Sequence, residues 1–153
     1  MISAESRMNF PQRVFCSIIS ITAFFLSACN PRGHIEAAES AVKRFHDRYN
    51  SQQYYAIYDE SGPAFRASAS KRDFVRYETN AHEKLGDLKS AEIANYNILY
   101  LFSGPQVRLD YNSHFSSGHA VESFEINFKN NNAVIDAYRI DTPLLAEKQR
   151  KPR

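Results

Sequence analysis

The stretch that decides the fold is residues 107–128, which read VRLDYNSHFSSGHAVESFEINF. Apolar and polar residues alternate along residues 107–115 and again along residues 120–128, which is the period of a half-buried β-strand. Between them, Ser116-Ser117-Gly118-His119 is a turn sequence. Two alternating runs joined by a short turn predict a pair of antiparallel strands that bury one face.

The same alternation extends the predicted sheet on both sides. Upstream, residues 91–102 alternate and Ser103-Gly104-Pro105 turns the chain. Downstream, Lys129-Asn130-Asn131-Asn132 forms a third turn, and residues 133–140 form the last strand. Four strands joined by three short turns predict an antiparallel meander.

Before Gly86, which is a natural helix terminator, the apolar period is that of helices. Residues 34–49 form the first helix, residues 54–58 lie in a short second one, and a third begins after Ser70. The stripe of this third helix consists of Phe74, Tyr77, Ala81 and Leu85. Since only these helices can cover the sheet, the sequence predicts an α+β domain. In it, about three N-terminal helices pack on a curved four-stranded antiparallel sheet.

The chain begins with the three parts of a secretory signal. A polar stretch carries Arg7 and Arg13, with Met8 as an alternative start to Met1, and residues 14–25 are mostly apolar. This run is shorter than the ~20 apolar residues that span a bilayer, but it suits a signal peptide. Residues 1–28 are therefore predicted to be a helical signal peptide.

The signal ends at Leu26-Ser27-Ala28-Cys29, which resembles the bacterial lipobox. There, small residues precede a cysteine whose thiol receives a diacylglycerol before cleavage. The resemblance implies that Cys29 is lipidated and tethers the mature protein to a membrane. Asn30 follows it, rather than the Asp that retains lipoproteins at the inner membrane of enteric bacteria. The expected location is thus the outer membrane, facing the periplasm. The alternative to a lipid anchor is an ordinary secretory signal in which Cys29 is a chance cysteine.

Two cysteines are present in all. Cys16 leaves with the signal and Cys29 is consumed by lipid, so we expect no disulfide, no thiol catalysis and no cysteine metal site. The remaining length suits one domain. The predicted organisation is a linker over residues 29–34, an α+β domain over 35–145 and a basic, flexible tail over 146–153.

The net charge of the whole chain is +2. The signal carries one net positive charge, from Arg7 and Arg13 against Glu5. The tail after Leu145 has four cations against Glu147, which is more positive charge than the chain's remaining net, so the folded part is slightly acidic. No basic face is expected that would neutralise a row of phosphates. The composition therefore argues against nucleic acid as a partner.

Six segments in the predicted order carry a resemblance to a known family: Phe45–Tyr49, Tyr54–Tyr58, Lys84–Gly86, Val107–Tyr111, Gly118–Phe124 and Ile135–Ile140. The chain resembles, over residues 36–140, small bacterial members of the nuclear transport factor 2-like, or cystatin-like, superfamily. Many of these are lipoproteins of unknown function. The resemblance implies a cone in which the curved sheet wraps a long helix and leaves a pocket at its open end. It also implies a homodimer, but no particular activity.

Two carboxylates fall on the apolar faces of strands. Glu122 shares its parity with Phe124, and Asp136 shares its parity with Tyr138, although the alternation around Asp136 is imperfect. A buried carboxylate costs several kcal/mol unless it is paired or protonated. One hypothesis is a pair of pocket acids with raised pKa values, as in the ketosteroid isomerases that share this fold. The other is that each bonds a tyrosine hydroxyl or an arginine.

Four tyrosines are expected on or near the concave face: Tyr96, Tyr100, Tyr111 and Tyr138. They either line a pocket for an apolar or aromatic ligand, or pack in the core with their hydroxyls at its rim. His114 and His119 face each other across a turn, but no third ligand is near, so neither a metal nor a cofactor is expected.

The leading hypothesis is a non-catalytic envelope lipoprotein that binds a partner protein or a small apolar ligand. The alternative is a small cofactor-free lyase or isomerase that uses Glu122, with a tyrosine as proton donor.

Overall fold

The computed structural model describes residues 31–130 and 132–146. The predicted signal peptide, Cys29 and the tail after Ala146 lie outside the described residues. The helices are α1 (Pro31–Asn50), α2 (Tyr54–Glu60), α3 (Pro63–Ser68), α4 (Lys71–Leu85) and α5 (Pro143–Ala146). The strands are β1 (Leu88–Leu101), β2 (Gly104–Phe115), β3 (Gly118–Lys129) and β4 (Asn132–Asp141). The predicted α+β class and curved four-stranded antiparallel sheet are confirmed.

The sheet is a meander in the order β1-β2-β3-β4, and every neighbouring pair is antiparallel. The stretch 107–128 forms its central hairpin, with Val107 opposite Ile126 and Leu109 opposite Phe124. All four of these side chains are fully buried. The alternation that predicted the hairpin therefore also gives its buried face.

Helix α1 packs on the sheet. Ala38, Val42, Phe45 and Tyr49 recur at spacings of three and four residues and are buried along one side of it. The ring of Phe45 lies 5.2 Å from that of Phe124, centroid to centroid. Burying a large apolar side chain contributes about 1.5–3 kcal/mol, so this stripe is a principal source of the domain's stability.

The helix count and boundaries differ from the prediction. Helix α1 begins at Pro31, so it includes residues 31–34, which the sequence analysis assigned to a linker. Helix α3 was not predicted, because a Gly-Pro pair such as Gly62-Pro63 is also typical of a turn between elements. Proline is favoured in the first turn of a helix, and here Gly62 is the N-cap and Pro63 opens the helix.

Helix α4 begins and ends as predicted. The backbone N–H of Asp73 donates to Ser70 Oγ (3.2 Å), and the Ser70 hydroxyl donates to Asp73 Oδ2 (2.6 Å). Gly86 ends the helix with a φ of +73°. The predicted stripe is wrong at one position: Tyr77 is exposed, and Glu78 takes its place on the buried side.

Helix α1 runs along the sheet, from the end that carries the β1–β2 and β3–β4 turns to the end where β1 begins. At its N-terminal end the ring of His34 lies 4.8 Å from that of Phe128 and 6.2 Å from that of Tyr100. These residues flank the β1–β2 and β3–β4 turns. At the other end Asn50 pairs with the backbone of Leu88, at 2.9 Å and 2.8 Å. Among the helices of residues 31–130 and 132–146, none combines the length and the apolar character of a membrane-spanning segment.

Candidate functional site

Glu122 lies in the core, as its parity predicted, and is 1% exposed. Its Oε1 accepts a hydrogen bond from the Tyr138 hydroxyl (2.9 Å), and its Oε2 accepts one from the Ser113 hydroxyl. His46 Nε2 lies 3.1 Å from the same Oε2. Three polar side chains thus surround the carboxylate, which offsets the cost of its burial. The structure places Glu122 in a satisfied network.

Sequence reasoning missed two members of this network. Ser113 shares the parity of Leu109 and Tyr111 on β2, so it was recognisable as a polar residue on the buried face. His46 lies four residues after Val42 on α1 and turns towards the sheet, where its ring contacts that of Tyr111 at 5.9 Å. Both signals were present in the sequence, but only the fold brings them to Glu122.

Asp136 has a different environment, at the edge of the sheet. It is the extra residue of a β-bulge, because Glu125 and Ile126 pair with Ala137 and Ile135, which leaves it unpaired in the ladder. The bulge explains the imperfect alternation of β4, since it lets Ile135 and Ile140 both point inwards.

The side chain of Asp136 holds helix α3 against the sheet. Its Oδ1 accepts from the backbone N–H of Ala64 (3.2 Å), in the first turn of α3, and its Oδ2 accepts from Asn127 Nδ2 (2.6 Å). A carboxylate at a helix N-terminus is favourable. Gly62 lies so close that a Cβ there would overlap with Asp136 Oδ1. Asp136 therefore has a structural role next to α3 and forms no acid pair with Glu122.

The four predicted tyrosines separate into two pairs. Tyr111 is buried and Tyr138 is partly buried, and both pack on the ring of Phe124, at 5.9 Å and 4.9 Å. Tyr96 and Tyr100 are each 57% exposed. They point to the predicted face of β1, opposite Leu109 and Pro105, but they lie outside the buried core.

The feature that sequence reasoning overlooked is Glu78 on α4. Its residue exposure is 0%, and neither carboxyl oxygen has a hydrogen-bond partner among the described residues. Glu78 follows Phe74 by four residues and precedes Leu85 by seven, so helical spacing could have identified it. Burial, and next the charge of Glu122, raise the pKa of Glu78 from its ordinary 4.5 to about 8.

Glu78 contributes to the wall of a large open pocket of about 1090 Å³. The pocket lies between helices α3 and α4 and residues of β2, β3 and β4. Its apolar wall contains Phe65, Phe74, Tyr77 and Tyr138, and its other charged residues are Asp73, Glu83, Glu125, Asp136 and Arg76. A concave, largely apolar site with a few polar groups is the usual form of a small-molecule site. The excess of acids makes this one unfavourable for anions.

Tyr138 connects the pocket to the buried network. It lines the pocket and also donates to Glu122. Burial, followed by the Glu122 and Glu78 carboxylates, raises the pKa of the Tyr138 hydroxyl well above its ordinary value. The hydroxyl therefore keeps its proton at every physiological pH and remains a hydrogen-bond donor.

His114 and His119 pair across the β2–β3 hairpin, with ring centroids 4.4 Å apart. Within residues 31–130 and 132–146, no group of three or more His, Cys, Asp or Glu side chains is arranged to hold a metal ion. The histidine pair thus has no third protein ligand in the described part of the chain.

These features define the class of the protein: an α+β domain whose helices cover a four-stranded antiparallel meander, with a largely apolar pocket beside a buried, unpaired carboxyl group. No protein-family model matches the chain, and no curated protein matches it significantly.

Proposed function

We propose that this protein is a lipid-anchored envelope protein, with a nuclear transport factor 2-like domain that binds a small, largely apolar molecule. The pocket between α3, α4 and the sheet is the binding site, and the ligand is neutral and carries a hydrogen-bond acceptor such as a carbonyl or amide oxygen. The observation that carries the proposal is Glu78: a fully buried carboxyl group in the pocket wall without a partner among the described residues.

A buried polar group without a partner costs about 1–3 kcal/mol, and native proteins rarely retain one. With a pKa of about 8, Glu78 is mostly protonated at neutral pH and presents an O–H donor. A ligand acceptor would satisfy this donor and recover the cost of its burial. Because the carboxyl is closed to solvent, the ligand has to move a neighbouring side chain aside. Tyr77, the adjacent pocket residue, is 45% exposed and suits that role.

The charges of the pocket restrict the ligand further. Besides Glu78, the described residues of its wall include four acids and one cation, Arg76. Arg76 is itself paired with Asp73, at 2.8 Å. A fatty-acid carboxylate or a phosphate would meet a negative rim, since like charges repel at this range. A neutral lipophilic molecule fits the pocket better.

Titration with Nile red tests this assignment, because the dye is neutral, apolar and carries a carbonyl acceptor. We expect Glu78→Gln, which keeps an N–H donor, to bind it as the wild type does. Glu78→Leu, which removes the donor, should weaken binding about tenfold, the equivalent of one hydrogen bond. Glu92→Leu, on exposed strand β1, controls for the added leucine. Equal affinity of wild type and Glu78→Leu would contradict the proposal.

The anchor at Cys29 has its own test. Labelled palmitate should be incorporated into the wild type and into Cys16→Ala, because Cys16 leaves with the signal, but not into Cys29→Ala. Unchanged incorporation in Cys29→Ala would refute the anchor and would leave the pocket assignment standing.

The lyase or isomerase alternative needs Glu122 within reach of a substrate proton. Glu122 is 1% exposed, its oxygens face Ser113, Tyr138 and His46, and it is not part of the pocket wall. This geometry suits a structural carboxylate. We therefore propose binding rather than catalysis.

A further inference from the structure

The β1–β2 hairpin ends in a contiguous run of exposed apolar residues, Leu99-Tyr100-Leu101-Phe102, hereafter the hairpin tip. Leu99, Tyr100 and Leu101 are about half exposed, and Phe102 is fully exposed. Single exposed apolar side chains are common on protein surfaces, but a contiguous apolar patch marks an interaction site.

The position of the hairpin tip points to its partner. It lies at the end of the molecule where α1 begins, because His34 contacts both Tyr100 and Phe128 there. Cys29 precedes Pro31, the first residue of α1, by two residues. Two residues span at most about 7 Å. A membrane that holds the Cys29 lipid is therefore close to the hairpin tip as well.

The charge of this end is consistent with a lipid surface. Residues 31–35, 98–106 and 127–134, which form the start of α1 and the two turns, contain no Asp or Glu. They contain the cations Arg32 and Lys129, both exposed. Cations beside an apolar tip are the combination by which peripheral proteins engage anionic headgroups and the acyl boundary together.

We propose that the hairpin tip inserts into the interface of the bilayer that carries the Cys29 lipid. This inference rests on the proposed anchor. The lipid alone would leave the domain free to rotate on its tether. The hairpin tip would give the domain a second contact with the bilayer, and two contacts fix its orientation. A second copy of the chain paired along the edge strand β1 is the competing occupant.

The chain contains no tryptophan, so Phe102→Trp introduces a single tryptophan at the hairpin tip, which excitation at ~295 nm separates from the tyrosines. Tyr55→Trp, at a 62% exposed position on α2, is the matched control. The test uses the mature chain, which begins at Cys29. This chain retains the described hydrophobic core, because the core residues lie between Ala38 and Ile140. Its sole thiol is coupled to a maleimide lipid in vesicles of phosphatidylethanolamine and phosphatidylglycerol with brominated acyl chains.

We expect the brominated chains to quench the fluorescence of Phe102→Trp at least twofold more strongly than that of Tyr55→Trp. Equal quenching of the two variants would overturn the proposal. A blue shift of Phe102→Trp that grows with protein concentration without vesicles would overturn it too, because it indicates pairing of two copies. The maleimide coupling does not depend on lipidation in cells. A negative palmitate result would therefore refute the anchor separately from this measurement.

Discussion

Replacing Glu78 by glutamine should change how the stability of the domain depends on pH. The folded-state pKa of Glu78, about 8, lies above its ordinary value of 4.5. Between these two values the folded protein binds more protons than the unfolded chain, so its stability falls as the pH rises through this window. A glutamine side chain does not titrate, so the Glu78→Gln variant lacks this loss.

The magnitude follows from the two pKa values. Between pH 5 and pH 8 the wild type should lose about 3–4 kcal/mol of its free energy of unfolding through Glu78. For a domain of this size that loss lowers the Tm by about 10 °C. Groups remote from Glu78 titrate equally in both proteins, so the difference between wild type and Glu78→Gln reports on this carboxyl and the charges beside it.

Urea denaturation at pH 5, 6, 7 and 8 measures the effect. The free-energy difference between Glu78→Gln and wild type should grow steadily in favour of the variant as the pH rises. Glu92→Gln, at an exposed glutamate on β1, should follow the wild type at every pH. Parallel curves for wild type and Glu78→Gln across this range would refute the reasoning, because they would show that Glu78 ionises in the folded state as it does in water.

Three further substitutions test the packing around the site. Gly62→Ala should lower the free energy of unfolding by about 1–3 kcal/mol, because its Cβ overlaps with Asp136. In an Asp136→Ala background the loss should be clearly smaller, and equal losses in the two backgrounds would exclude that contact. Ser113→Ala should destabilise by about 1–3 kcal/mol in urea denaturation, since it removes a donor from buried Glu122, and no loss would contradict the network. Phe124→Ala should lower the free energy of unfolding by about 3–5 kcal/mol, because Phe124 is fully buried. Val121 on the same strand is half exposed, so Val121→Ala should lower it by about 0.5 kcal/mol or less.

The strands were predictable because each carries its signal locally. Alternation along β2 and β3 places Leu109, Tyr111, Glu122 and Phe124 on the buried face without knowledge of the helices. The disturbed alternation of β4 was visible as well, but not its cause. The bulge at Asp136 depends on pairing with β3 and on the packing of α3, which are long-range contacts.

Local alternation could not predict which residues of β1 are buried. It also could not predict the hydrogen-bond partners of the buried acids. Tyr96 and Tyr100 lie on the expected face, yet whether a face is covered depends on how far the helices reach over it. The His46–Glu122 contact joins residues 76 positions apart. Glu78 was overlooked for a local reason: Tyr77 was preferred as the apolar member of the stripe, although Glu78 has the better spacing from Phe74.

The most direct test of the binding site follows the ¹³C NMR resonance of the Glu78 side-chain carboxyl through a pH titration, without and with saturating Nile red. A ligand acceptor bonded to the protonated carboxyl stabilises the neutral form. The titration midpoint should lie near pH 8 in the free protein and rise when the dye is bound. A midpoint that saturating dye leaves unchanged would contradict the account.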